Sequence, residues 1–511
     1  MTSPRSSSVT IVGRGLAGMV AALELVKRKV NVRLYESTAR FGGKAGSYAS
    51  PPIYNAGGEL DPTLRLPEGV ESDHGYHVFP KWYTNMRHLW NEIGVSTADV
   101  YEDRVYLDLF PAQNGQRSPF KIEPPPNLKQ VLSICDLVIQ PDRHVVDLTL
   151  EGFLHSRDHH HPERPLSLIE FILNALTIGD EDISSRAARD TFRQWLPVFS
   201  QANWDALRGS LDEILIRRLQ NAIVKAADAA GVSYEWFFNH RMIDLTVNEQ
   251  QQAQITIEGP RDCFVINDGP ILLTLPQEVL RTFCNGVLYD RLPELSQLNY
   301  LRSNSFSAID IFFDRKLPNM HLEHFTLTAS PFGLTGFDIS MHWPKLIERN
   351  RTVLQFVAAN SLGFRGLDGS SFIKVITREI AKYFPEVPTQ VELYVPHTNM
   401  DVPLFVNDVM TENWRPKNRT QAKNLFLGGD FVMNPTHVTS MEGATRSGRM
   451  AAEAIREAFF GDTAPVEIVP VQPMPPELAG IVQLAEKDTV EARLACLSWF
   501  SKMMAAARMG A

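Results

Sequence analysis

Residues 9–12, VTIV, form a short β-branched run that leads into a glycine-rich turn. Leu16, Met19, Val20, Leu23 and Val26 then recur at helical spacing over 16–29. Residues 31–36, NVRLYE, alternate as a strand does. These segments predict a βαβ unit with glycines at its first turn. Residues 125–140 and 165–176 predict helices, separated by the polar loop RDHHHPERP. An amphipathic helix follows over 211–229, closing near Gly231. Strands are expected at VSYEWFF, HRMIDLTV and AQITIEG, and PILLTLPQEVLRTF reads as a strand entering a Pro-initiated helix. Residues 305–313 and 325–356 are strand-rich, and 424–457 close the core with a strand, a loop and a helix. From residue 461 a Pro-rich connector leads to helical segments.

Dinucleotide-type elements therefore lie at the start, the middle and near the end of the chain. The expected organisation is a discontinuous nucleotide domain from 1–80, 231–285 and 405–460. A substrate domain from 81–230 and 286–404 interleaves with it, and 461–511 form a helical tail. The class is α/β, with a Rossmann-type domain and an α+β substrate domain.

Composition narrows the function. At 511 residues with 44% hydrophobic positions, the chain can bury a sizeable core. A net charge of −9 argues against a nucleic-acid partner. Cys135, Cys263, Cys284 and Cys496 are scattered without a CxxC, so neither zinc nor a disulfide framework is expected. His159, His160 and His161 are consecutive in a loop with no acidic or Cys partners at ligand spacing, and consecutive residues rarely converge on one ion, so no metal site is expected there either. No secretory signal and no run of 18 apolar residues is present, so a cytoplasmic protein is expected. The last segment, ARLACLSWFSKMMAAARMGA, reads either as a packing helix or as an interfacial helix that makes the protein peripheral on a membrane.

Gly13, Gly15 and Gly18 have separate tasks: a tight turn, close approach of a pyrophosphate, and close packing of helix on strand. Leu16 and Ala17 open the helix whose free N–H groups would face the phosphates. Glu36, followed by Ser37, ends the second strand, where a carboxylate accepts the ribose hydroxyls of an unphosphorylated adenosine. To this point NAD and FAD both fit. Arg40, Gly42, Gly43 and Lys44 extend the motif as the longer FAD requires, the glycines closing over the cofactor and a cation offsetting phosphate charge. Far downstream, LFLGG is a buried strand, and Gly429 and Asp430 follow it, the carboxylate suited to ribityl hydroxyls. Met441, Gly443 and Ala444 open a helix whose positive end would face the flavin edge that gains negative charge on reduction.

With GRGLAG, ESTARFGGK, SDHGYHVF (72–79), PILLTLPQEVL, RPKNRTQAKNLFLGGDFV (415–432) and SMEGATRSGRMAAEAI (440–455) in order, the chain resembles the FAD-dependent amine oxidase/phytoene desaturase superfamily. The resemblance spans nearly the whole chain and implies a glutathione-reductase-like two-domain flavin fold. Three features resemble the carotenoid and isoprenoid desaturase branch. They are GGK where many amine oxidases carry GGR, the Gly75, His77, Phe79, Tyr83, Asn85 pattern, and Ser440 where amine oxidases tend to place an aromatic cage wall. Pro80-Lys81 depart from the pattern, and Met242 stands for the usual valine of the adenine-contacting strand.

The resemblance implies hydride removal from a hydrophobic, isoprenoid- or carotenoid-like substrate to FAD, with reoxidation by a quinone or oxygen. Gly75, Tyr76 and His77 belong to the expected cofactor surface. His77 and His437 are the acid–base candidates, with His74 beside them; Asp73 equally suits a turn, and Trp82 and Tyr83 suit pocket or core. Two other functions remain: an FAD-dependent amine or small natural-product oxidase, and a flavin-free prenyl-binding escort-type protein.

Overall fold

The computed structural model describes residues 8–103, 106–109, 111–112, 121–122, 128–145, 148–157, 183–196, 204–318, 324–400 and 402–509. The three consecutive histidines and the helix expected over 165–176 lie outside these residues.

The β-branched run becomes strand β1 (Ser8–Val12), followed by helix α1 (Leu16–Lys27) and strand β2 (Asn31–Tyr35). Helix α2 (Arg217–Ala230) leads into β3 (Tyr234–Phe237). Further on come β4 (Ile271–Leu273), β5 (Leu425–Leu427) and α3 (Met441–Phe459). The five strands form one parallel sheet in the order β5–β4–β1–β2–β3. Parallel sheets are covered on both faces, which is why β1, β4 and β5 read as continuous apolar runs.

In α1 every residue from Leu16 to Val26 is buried. α3 and α2 both pack on it, leaving no side to solvent. A would-be Cβ on Gly448 of α3 would lie 2.5 Å from the Ala17 carbonyl oxygen, so the two helices cross at backbone contact. Glu24 is buried in the same helix and is held by Arg449 at 2.7 Å and Arg28 at 2.8 Å.

An antiparallel meander (Arg241–Val247, Ala253–Glu258, Cys263–Ile266) is inserted between β3 and β4. The second large unit is an eight-stranded sheet built on Ser307–Phe313, flanked by Val353–Ala358 and Val391–His397. Val78–Pro80, Trp204–Leu207 and Val100–Asp103 form a separate three-stranded sheet that packs on the eight-stranded unit, with Trp204 against His324 and Tyr101 against His342.

Two stretches sit elsewhere than the sequence boundaries put them. Tyr54–Asn55 pairs with Val391–His397 at the edge of the eight-stranded sheet rather than with the nucleotide domain. α2 packs on α1 and feeds β3, because a parallel strand beside β2 needs a crossover helix over the sheet. A boundary at 231 therefore cuts through a helix–strand unit of the nucleotide domain.

In the tail, Ala492, Cys496 and Phe500 of the last helix (Thr489–Met509) are buried, and Arg493 pairs with buried Asp136 at 2.8 Å. Val490 and Leu494 of that helix are exposed. Among the described residues no helix is long and apolar enough to cross a membrane. The four cysteines are free thiols.

Candidate cofactor and substrate site

The turn between β1 and α1 is closed by glycines. Gly13 has φ +102°, and Thr274 at the end of β4 donates its hydroxyl to the Gly13 carbonyl at 2.8 Å. A Cβ on Gly18 would lie 2.3 Å from that same carbonyl oxygen, so only glycine fits. Gly15 is different: a Cβ there would meet nothing within 4 Å. The space in front of it is the cradle, and α1 starts at Leu16, Ala17 and Gly18 with no side chain capping its N–H groups.

Gly42 and Gly43 close against this turn. Gly42 donates its N–H to the Arg14 carbonyl at 3.1 Å, and a Cβ on Gly43 would sit 2.9 Å from the Gly15 Cα. Glu36 accepts the Arg14 backbone N–H at 3.0 Å, the Thr38 N–H at 2.9 Å and the Ser37 hydroxyl at 3.2 Å. The two cations of this loop have protein partners. Arg40 donates to the carbonyls of Gly46 and Gly43 at 3.0 and 3.2 Å, and Lys44 pairs with Glu278 at 2.9 Å and also donates to the Pro403 carbonyl. Arg40 thus shapes the loop backbone, and the charge of Lys44 is already offset by a carboxylate. The Met242 side chain is inside the meander core, 3% exposed.

After β5 the chain turns at Gly429 (φ +143°), whose N–H donates to Ser447 at 3.0 Å. Asp430 accepts the Thr439 hydroxyl. Buried Arg415 holds the loop by donating to the carbonyls of Asp430, Phe431, Val432 and Thr436 at 2.8–3.2 Å. Ser440 caps α3 by accepting the Gly443 N–H at 3.1 Å, which places Met441, Gly443 and Ala444 in the first turn. Glu442, 1% exposed, accepts Asn85 N–H at 3.1 Å, Asn85 Nδ2 at 3.0 Å and Met86 N–H at 2.8 Å. It thereby caps the helix Thr84–Ile93 from across the molecule.

The stretch 72–77 lies where the two units meet. Gly75 has φ +144°, and a Cβ there would be 2.9 Å from the Val357 side chain. The Ser72 hydroxyl lies 2.6 Å from Asp310 Oδ2 and 2.7 Å from His397 Nε2. Asp73 is no mere turn residue: it is buried, accepts the Ser47 hydroxyl at 2.5 Å and meets the Leu211 N–H at 3.3 Å. Burial pushes Asp73 up to about 8 and Asp310 up to about 7. Burial pulls His77 and His397 down to about 4, and His74 is lowered by burial and then by its neighbouring histidines. Tyr76 donates to Thr335 at 2.5 Å. Asp73, Tyr76, His77, Leu211, Trp343 and Gln355 line one small cavity. Trp82 and Tyr83 are core residues, each 4% exposed.

The two histidine candidates are in different settings. His77 is at this cavity, with an Nδ1 that has no hydrogen-bond partner. His437 lies 3.6 Å from Glu412 and 3.8 Å from Asp190, an ion-pair cluster beside Arg415. Burial opposes ionisation of Glu412, but His437 and Arg415 outweigh it and hold the carboxyl down to about 2.

Arg415, Glu442 and Arg449 were not singled out from the sequence. The available signal was a charge inside an otherwise apolar or small-residue helical face, as with Glu24 in α1 and Arg449 in α3.

A parallel five-stranded sheet with a glycine cradle, an acid ending β2 and a helix-opening segment after β5 defines an FAD-dependent oxidoreductase of the two-domain kind. The family model for flavin containing amine oxidoreductase matches residues 16–456, and the chain belongs to that family. It is 22% identical to a chloroplastic/chromoplastic 15-cis-phytoene desaturase from Narcissus pseudonarcissus, over 90% of this chain and 81% of that one. With 15-cis-phytoene desaturase from Synechococcus elongatus it shares 23% identity over 88% and 95% of the two chains. Among solved structures, cyclohexylamine oxidase from Brevibacterium oxydans superposes with a TM-score of 0.62 at 13% identity, over 89% of this chain and 99% of that one. The cofactor is FAD. The cradle fits it: Gly15 leaves room for phosphate, the first turn of α1 is uncapped, and Glu36 ends β2.

Proposed function

We propose that this oxidoreductase desaturates an extended apolar substrate of the isoprenoid or carotenoid type. The observation that carries the reading is Ser440. Where the amine oxidases of the superfamily tend to place an aromatic wall, this chain has a hydroxyl that accepts the Gly443 N–H at 3.1 Å and donates to the Val438 carbonyl at 3.2 Å. A residue committed to a helix cap builds no cage for an amine. The charge state at the cavity supports the same reading. With His77 near 4 and Asp73 near 8, both are predominantly uncharged at neutral pH and offer no counter-ion to an ammonium group. The desaturase relatives, which match nearly the whole chain, are further support.

Bound FAD supplies the hydride acceptor. His77 offers an unprotonated nitrogen to a proton leaving the substrate, and Asp73 holds a proton on the same cavity wall. The apolar side chains around them, Leu211 and Trp343 among them, exclude water.

The test is an anaerobic incubation of the yellow holoprotein with a phytoene-type polyene, a squalene-type triterpene and a set of primary amines. Flavin bleaching by the polyene or triterpene, with a product two hydrogens lighter, is the expected result. Bleaching by amines alone, with peroxide formed in air, overturns the reading in favour of an amine oxidase. A protein that purifies colourless and binds no added FAD points to the escort-type alternative. Repeating the assay with a quinone instead of air identifies the acceptor.

A further inference from the structure

Arg14, between the first two glycines of the cradle, has no exposed surface. Its guanidinium carbon lies 3.2 Å from the ring centre of Phe41, 4.8 Å from that of Phe238 and 5.3 Å from that of Trp236. Nη2 donates to Gln220 at 2.7 Å, while Nε and Nη1 have no hydrogen-bond partner. Burial lowers the group to about 10, so it is still a cation at neutral pH.

Three other deeply buried arginines each reach a carboxylate. Arg189 meets Asp142 at 2.6 Å, Arg415 meets Glu412 at 2.9 Å and Arg449 meets Glu24 at 2.7 Å. The Arg14 side chain pairs with none among the described residues. The nearby acid, Glu36, instead accepts the backbone N–H of Arg14 and the N–H and hydroxyl of Thr38. Aromatic faces, the Gln220 amide, the Tyr234 hydroxyl and the more distant charge of Glu36 give partial compensation, and a buried cation so held is costly.

The position of the residue suggests what completes it. Its N–H and carbonyl are both part of the cradle, bonded to Glu36 and Gly42. The ring beneath its charge, Phe41, opens the loop of Gly42 and Gly43 that closes on Gly15. Lys44 and Arg40, the more obvious cations, are engaged with Glu278 and with backbone carbonyls.

We propose that Arg14 is a positioning residue for FAD: a cation held under the glycine turn whose counter-charge is the cofactor's pyrophosphate. Its effect on the protein then has opposite signs with and without FAD. Without the cofactor the charge has no direct ion-pair partner among the described residues and destabilises the fold; with it, the charge tightens binding.

The experiment compares wild type, Arg14→Met and Arg14→Lys as holoproteins and after FAD removal. FAD dissociation is read from recovered flavin fluorescence, and melting temperature is read with and without saturating FAD. Arg14→Met is expected to weaken FAD binding about tenfold or more, yet to melt about 2 °C higher than wild type when FAD-free. Arg14→Lys keeps the charge and is expected to stay within about threefold of wild-type affinity. Inorganic pyrophosphate is expected to stabilise the FAD-free wild type and not Arg14→Met. Equal FAD affinity in wild type and Arg14→Met overturns the inference. So does an Arg14→Met protein that fails to fold or melts lower without FAD, since either makes the side chain a packing element only.

Discussion

The two ends of the site handle buried charge in opposite ways. Around the start of α3 the acids are matched by donors: Glu412 by Arg415 and His437, Glu442 by Arg446 at 3.2 Å and two backbone N–H groups. Around 72–77 the acids Asp73 and Asp310 are buried with no ion-pair partner among the described residues; they bond to serine hydroxyls, and burial raises them to about 8 and about 7. The first arrangement fixes backbone in place against a charged cofactor. The second keeps a cavity wall polar yet uncharged, which suits proton exchange beside an apolar molecule.

The largest effect expected from a single change lies in the cradle. Gly18→Ala places a methyl 2.3 Å from a backbone oxygen and is expected to cost about 4 kcal/mol or more, giving little soluble yellow protein. Gly15→Ala meets no atom within 4 Å and is expected to fold normally but lose FAD, measured as an unchanged FAD-free melt with no flavin absorbance. Equal damage from both would erase the distinction between turn and cradle.

On the matched side, Glu442→Ala strands the N–H groups of Asn85 and Met86 and the Arg446 guanidinium. A loss of about 3 kcal/mol is expected in urea unfolding.

The pH dependence should separate the two regions. Asp73 is raised from 3.8 to about 8 in the folded protein, so its contribution is fully present below pH 3.8 and is lost as pH rises through about 8. Glu412 is lowered from 4.5 to about 2, so its contribution is present above pH 4.5 and is lost as pH falls through about 2. Asp73→Asn should therefore flatten the fall in stability between pH 3.8 and about 8, by about 2 kcal/mol in a partly relaxing interior, and leave the curve below pH 3.8 unchanged. A flattening below pH 3.8 instead, where Glu412 titrates, would break the contrast.

The smallest change is Ser440→Ala. Loss of the α3 cap is expected to cost about 1 kcal/mol and to lower the melting temperature by a few degrees at most.

Much of the cofactor region was legible because its determinants are local. Gly13, Gly15 and Gly18 lie within one turn, and each has a steric task that a single glycine declares. LFLGGD was equally readable, being a buried strand that ends in an acid. What could not be read were partnerships across the chain. Ser72 finds Asp310 and His397, Glu442 finds Asn85, and Arg449 finds Glu24 and Glu92, at separations of hundreds of residues with no spacing rule. Lys44 shows the same limit: its place in the motif suggested phosphate, and its neighbour in space is Glu278. His77 and His437 looked alike in sequence, and only packing puts one ring at the cavity wall and the other in an ion-pair cluster.

The contact of Gly448 with Ala17 has a consequence of its own. α1 begins at the phosphate cradle and α3 begins beside Asp430, so their crossing sets the span between the cradle and the Asp430 segment. Sliding α3 along α1 by one helical turn would change that span by about 5.4 Å. With no side chain at Gly448 to act as a spacer, the helices rest backbone on backbone, and the crossing works as a ruler cut to the length of one extended dinucleotide.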